Sequence, residues 1–115
     1  MAKILLAEDD STMVSLLKTL LKMEGFDVIA LDIETDITAA VEREKPDAIF
    51  LDVHLGERSG MQVLQAIRKN QDTAGVRVVM TSGLNMQEEC LRLGANAFLQ
   101  KPFMPDELIS VLKYS

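Results

Sequence analysis

With 115 residues, 48% of them hydrophobic and 26% charged, the chain has the composition of one globular domain with a real core, and too little length for two. The net charge of −6 disfavours nucleic acid or an anionic membrane as a direct partner. No apolar run approaches the roughly 20 residues of a membrane span, and Glu8-Asp9-Asp10 cuts the opening apolar stretch too early for a signal peptide.

Cys90 is the single cysteine, so no internal disulfide can form; a buried structural thiol in a soluble cytoplasmic domain is the expectation. The seven methionines read as adaptable core filler.

Taken in order, Lys3 to Ala7 is a short apolar strand ending in three carboxylates. Ser11 is the predicted N-cap of a first helix, and Met13, Leu16, Leu17, Leu20 and Leu21 recur on its inner face until Gly25 ends it. Asp10, just before it, competes for the capping role and is expected to favour the positive end of that helix. Phe26 to Leu31 is a second strand. Thr35 or Asp36 caps a helix with Ile37, Ala40 and Val41 on one face, and Pro46 blocks its continuation. Ala48 to Leu51 is a continuous apolar run that ends in Asp52, the pattern of a strand covered on both faces.

Gly60 opens a third helical pattern with Val63, Leu64 and Ile67 inward, fraying at Lys69-Asn70-Gln71-Asp72. Val76 to Met80 is a fourth strand, followed by Thr81-Ser82-Gly83. A short helix from about Met86 to Leu93 stops at Gly94, and Ala97-Phe98-Leu99 is a last strand before Gln100-Lys101-Pro102. Pro105 suits the first turn of a closing helix, with Asp106 and Glu107 near its positive end, Lys113 near its negative end, and Leu108, Val111 and Leu112 inward.

Strands alternating with helices imply parallel pairing through right-handed crossovers. Five such units are too few for an eight-fold barrel, which leaves an α/β fold: a doubly wound, three-layer sandwich of one parallel sheet and five helices. In a parallel sheet all strands finish at one edge. That edge collects Glu8, Asp9 and Asp10 from the first strand, Asp52 from the third, Thr81 from the fourth and Lys101 from the fifth. Clustered carboxylates repel one another unless a cation joins them, and hard oxygen donors suit Mg²⁺. A nucleophilic carboxylate, a metal, a hydroxyl and an ammonium together make the parts for phosphoryl transfer to an aspartate.

The stretches "ILLAEDD", "IFLDVHLGERSG", "VVMTSG" and "LQKPF" stand in order at four predicted strand ends. Through them the chain resembles a response-regulator receiver domain of the CheY-like kind over essentially its whole length, residues 1–115 forming a single domain. The resemblance implies a flavodoxin-like five-stranded sheet of order 2-1-3-4-5. It implies that Asp52 is the phosphoacceptor, attacking a phosphohistidine on a sensor histidine kinase or phosphotransfer protein. Asp9, Asp52 and the backbone carbonyl of His54 would bind Mg²⁺, with Glu8 acting through a water. Lys101 would pair with Asp52 at rest and with phosphoryl oxygens afterwards, while Thr81 and Phe98 act as the switch. A cis Lys101–Pro102 peptide is implied as well. The His54 side chain is expected to face solvent or gate access rather than to ligate a metal.

The same resemblance implies that the chain is no enzyme beyond its own phosphotransfer and autodephosphorylation. Its output face would be the fourth helix, fifth strand and fifth helix, acting on a downstream protein, a covalently linked output domain or a second copy in a homodimer. Two departures from the common pattern bear on this. Leu55-Gly56 replaces a frequent Met-Pro, which points to a more mobile loop. The segment from Thr81 to Lys101 is short, which points to a trimmed fourth helix. The alternatives are a pseudo-receiver that never takes phosphate, and a Mg²⁺-dependent phosphatase with an aspartyl-phosphate intermediate. The phosphatase would want an acid/base carboxylate where His54 stands.

Overall fold

Successive residues of a strand point to opposite faces, so an unbroken apolar strand needs a covering layer on both sides. The structure, a computed structural model, describes residues 2–32 and 34–114 and meets that need with helices on each face. The elements are β1 (Lys3–Ala7), α1 (Ser11–Met23), β2 (Asp27–Ala30), α2 (Ile37–Glu44), β3 (Ala48–Asp52), β4 (His54–Leu55) and β5 (Arg58–Ser59). They continue with α3 (Gly60–Lys69), β6 (Arg77–Ser82), α4 (Gln87–Arg92), β7 (Ala97–Gln100) and α5 (Pro105–Tyr114). Five strands form one parallel sheet in the order β2-β1-β3-β6-β7, which is the expected 2-1-3-4-5 once the two short strands β4 and β5 are set aside.

The alternation sorts the core into two layers. Leu5, Ala7, Ile49, Leu51, Val78 and Met80 face α2 and α3, where Ile37, Val41, Leu64 and Ile67 cover them. Ile4, Leu6, Phe50, Val79 and Leu99 face α1 and α5, against Leu17, Leu21, Leu108 and Leu112. All five residues of β3 are buried, and Phe50 meets Phe103 edge-on at 5.7 Å between ring centroids. Cys90 is fully buried, as a structural thiol would be, and burial pushes its pKa up. Gly25 and Gly94 close their helices at φ +95 and +110, where a side chain would be strained.

Three expectations need correction. Asp10, rather than Ser11, caps α1: its carboxylate accepts the amides of Thr12 and Met13, and Ser11 is already helical. Asp and Ser are nearly equal as caps, so composition alone does not separate neighbours. Leu16 is 51% exposed, off the buried stripe that Leu17 and Leu21 form. Of the methionines, Met80 is core but Met23 and Met104 stand exposed. The segment after Asp52 forms a short hairpin, in which β4 and β5 pair antiparallel, His54 opposite Ser59 and Leu55 opposite Arg58. Asp36 caps α2, and α4 is only six residues long, in line with the trimmed fourth helix.

Candidate functional site

The β1, β3, β6 and β7 ends meet at one edge of the sheet, and register fixes who is adjacent. Asp52 pairs with Thr81, and Thr81 in turn pairs with Leu99. Glu8 and Asp9 leave the end of β1 next to β3, and Lys101 leaves the end of β7. The result is a small acidic pocket in which one carboxylate oxygen each from Glu8, Asp9 and Asp52 lies within 4.8 Å of the others. Glu8 and Asp52 are buried and Asp9 is exposed, so the pocket opens to water on the Asp9 side.

Each carboxylate is held by a backbone amide. The Asp10 N–H donates to Glu8 Oε1 at 3.1 Å, the His54 N–H to Asp52 Oδ1 at 2.9 Å, and the Gly56 N–H to Asp9 Oδ2 at 3.0 Å. The Lys101 ammonium bridges the two buried acids, 2.7 Å from Asp52 Oδ2 and 2.9 Å from Glu8 Oε2. It donates a hydrogen bond to Asp52 and forms a close ion pair with Glu8. Among the described residues Glu8 Oε2 is the one buried side-chain polar atom without a hydrogen bond.

The electrostatics follow from that geometry. Burial pushes the Glu8 carboxyl up to about 7, the nearby Asp52 adding to the effect and Lys101 opposing it. Burial alone would lower the Lys101 ammonium, but its bond to Asp52 and its pairing with Glu8 outweigh that and raise it. Three carboxylates share one ammonium, so the pocket carries excess negative charge in partly dry surroundings. Three carboxylates, each with only part of its acceptor capacity used, fit a hard divalent cation such as Mg²⁺.

The remaining residues singled out in the sequence lie around this cluster. Thr81 is fully buried and its hydroxyl donates to the Leu99 carbonyl at 2.7 Å, across the sheet rather than toward Asp52. Phe98, the residue before that carbonyl, is half-buried against the core layer that holds Met80 and Cys90. His54 is exposed; its backbone, not its ring, is tied to the pocket. The Lys101–Pro102 peptide is cis. Sequence reasoning missed Gly56, whose φ of +59 turns its amide onto Asp9, and Gly60, where a Cβ would run into the Asp52 carbonyl. In the sequence Gly56 shows only as a loop glycine and Gly60 only as the start of a helical pattern.

Comparison with known proteins places this geometry among relatives. A family model described as a response regulator receiver domain matches residues 4–113. The transcriptional regulatory protein CpxR of Escherichia coli (strain K12) is 35% identical over 120 residues, covering 98% of this chain and 48% of CpxR. The chain thus spans about half the length of such relatives. Among solved structures, the receiver domain of Francisella response regulator 1452 superposes with a TM-score of 0.88 at 27% identity, covering 97% of this chain and 93% of that one. The receiver domain of sensor histidine kinase PA1611 from Pseudomonas aeruginosa PAO1 has a TM-score of 0.84 at 29% identity, with 96% and 93% covered. That structure is described with a magnesium ion coordinated in its active site cleft.

Proposed function

This chain belongs to the response regulator receiver domain family of two-component systems, and from that premise we propose that it is a phosphorylation switch whose acceptor is Asp52. Receiver domains bind Mg²⁺ at an acidic pocket and work with histidine kinases and output domains. In our reading the phosphoryl donor is a histidine kinase or phosphotransfer protein, and residues 1–115 are one receiver domain. The observation that carries the proposal is the buried Asp52 carboxylate, oriented by the His54 amide and bridged through Lys101 to the buried Glu8 carboxylate.

Asp9, Asp52 and the His54 carbonyl would hold Mg²⁺, with Glu8 acting through a water. When bound, Mg²⁺ neutralises charge on the phosphoryl oxygens. The chain's own residues do the rest. An Asp52 oxygen forms the new P–O bond as the P–N bond of the donor phosphohistidine breaks, leaving the electron pair on the imidazole nitrogen. Lys101 turns from the carboxylate to the phosphoryl oxygens, so its charge stays paired. Thr81 gives up Leu99 O and donates to the phosphoryl group, exchanging one hydrogen bond for a charge-assisted one at a net gain of about 1 kcal/mol. Phe98 then turns into the space that Thr81 leaves, and the surface of α4, β7 and α5 changes toward a partner, an output domain or a second copy. Without a hydroxyl on its ring, this movement rests on packing.

The test is the intact mass after incubation with acetyl phosphate and Mg²⁺. One labile phosphoryl adduct is expected on the native chain and none on Asp52→Asn. No adduct on the native chain, or an undiminished one on the variant, sinks the assignment.

A further inference from the structure

Two of the three pocket carboxylates owe their orientation to the β4–β5 hairpin, through the His54 amide on Asp52 and the Gly56 amide on Asp9. Two paired residues on each side cannot hold such a hairpin together in water. Its position is therefore set by what ties it down. At its base the Gly60 N–H donates to the Val53 carbonyl at 2.6 Å, and Leu55 is buried in the core. Among the described residues, its outer side is flanked by two open clefts, of about 670 and 520 Å³.

Between these clefts stands Arg58. It sits opposite Leu55 in the hairpin ladder, and Leu55 lies between the two residues whose amides reach the pocket. Its guanidinium donates to the Thr35 carbonyl at 2.7 Å, joining segments 23 residues apart in the chain. Thr35 is itself held in a turn, where its amide donates to the Asp32 carbonyl and Asp36 caps α2. The strut thus runs from α2's capped N-terminus, through Arg58, to the hairpin.

We propose that Arg58 is a positioning residue for the cation pocket, fixing the hairpin so that the Gly56 and His54 amides present Asp9 and Asp52 for Mg²⁺. The inference rests on the reading of the pocket as a Mg²⁺ site. Mg²⁺ demands near-ideal geometry from few protein ligands, so a loosened Asp9 costs affinity. The sign of the effect separates positioning from charge. Removing a positive group beside a cation site would by Coulomb's law tighten Mg²⁺ binding; removing a strut weakens it.

The experiment titrates Mg²⁺ by calorimetry into the native chain, Arg58→Gln and Arg58→Lys, and measures amide exchange at Gly56 in chelator. Expected are an approximately tenfold weaker affinity and faster Gly56 exchange in Arg58→Gln, recovery of most of both in Arg58→Lys, and a melting temperature close to native in each. Affinity equal to or tighter than native in Arg58→Gln, or unchanged Gly56 exchange, overturns the role of Arg58. A native chain that binds no Mg²⁺ defeats the reading of the pocket instead, while the exchange measurement in chelator still decides whether Arg58 holds the hairpin.

Discussion

Lys101 and Arg68 are half-buried cations at opposite edges of the same sheet, and their surroundings differ in kind. Arg68, near the end of α3, donates to the carbonyls of Gly94 at 2.9 Å, Ala74 at 3.0 Å and Val76 at 2.6 Å, and to Asn96 Oδ1 at 2.9 Å. Asn96 Oδ1 also accepts the Val78 amide, so one side chain stitches the starts of β6 and β7 to α3. Neutral dipoles take four of the fork's five N–H donors, and burial pushes the guanidinium pKa down. Lys101 faces carboxylates that outnumber it and leave Glu8 Oε2 without a hydrogen bond. A compact ammonium on a flexible stem can move between acceptors where a fork with four fixed partners cannot. The Arg68 edge ties backbone segments together; the Lys101 edge gathers carboxylates in excess of its one cation.

That contrast can be broken most forcefully at Arg68. Arg68→Met takes the donor from the carbonyls of Gly94, Ala74 and Val76, while Asn96 Oδ1 keeps the Val78 amide, and chemical denaturation should show a loss of about 3 kcal/mol. Phosphorylation of the folded fraction by acetyl phosphate should be unaffected. A loss of adduct at full folding would mean that the two edges are coupled.

Gly60→Ala comes next and acts on both properties. Its Cβ would collide with the Asp52 carbonyl oxygen and sit 2.8 Å from Val53 Cα, both backbone atoms that cannot swing aside. A loss of about 2 kcal/mol is expected, with weaker Mg²⁺ binding in calorimetry because the Asp52 backbone must shift. Native Mg²⁺ affinity in this variant would show that the pocket tolerates a displaced acceptor.

The smallest effect has the opposite sign. In chelator the folded chain keeps a proton on Glu8 up to about pH 7, against an ordinary value of 4.5. The folded state therefore binds more protons than the unfolded state between those values, and stability falls as pH rises through that window. Glu8→Gln removes the penalty. It should stabilise the chain by about 1 kcal/mol at pH 8, a gain that vanishes toward pH 5, while Mg²⁺ binding weakens. Thermal melts of the two proteins across pH 5 to 8 in chelator read this difference directly; a gap that does not change with pH contradicts it.

Much of the functional edge was legible because strand ends announce themselves. The run from Ala48 to Leu51 is apolar on both faces, which requires a parallel central strand, and Asp52 then falls at the ligand edge by topology alone. Glu8, Asp9 and Lys101 follow by the same rule. The hairpin did not, because two strands of two residues have no periodicity and Gly56 signals a turn without naming what its amide will meet. Arg58 and Arg68 were silent for a different reason. Each works through backbone carbonyls brought close by the tertiary fold, Thr35 for one and Gly94 for the other, and carbonyls have no signature in sequence. Leu16 shows the limit of helical periodicity, which counts apolar residues but not the width of the face that a sheet can cover.

The central claim is that Asp52, rather than its acidic neighbours, takes the phosphoryl group. Borohydride reduces an acyl phosphate and leaves free carboxylates alone, so treating the acetyl-phosphate-labelled chain and mapping its peptides locates the acceptor. Reduction confined to position 52, and abolished by chelating Mg²⁺ before labelling, is the predicted result. Reduction at Glu8 or Asp9, or none in a chain that carries the adduct, would contradict it.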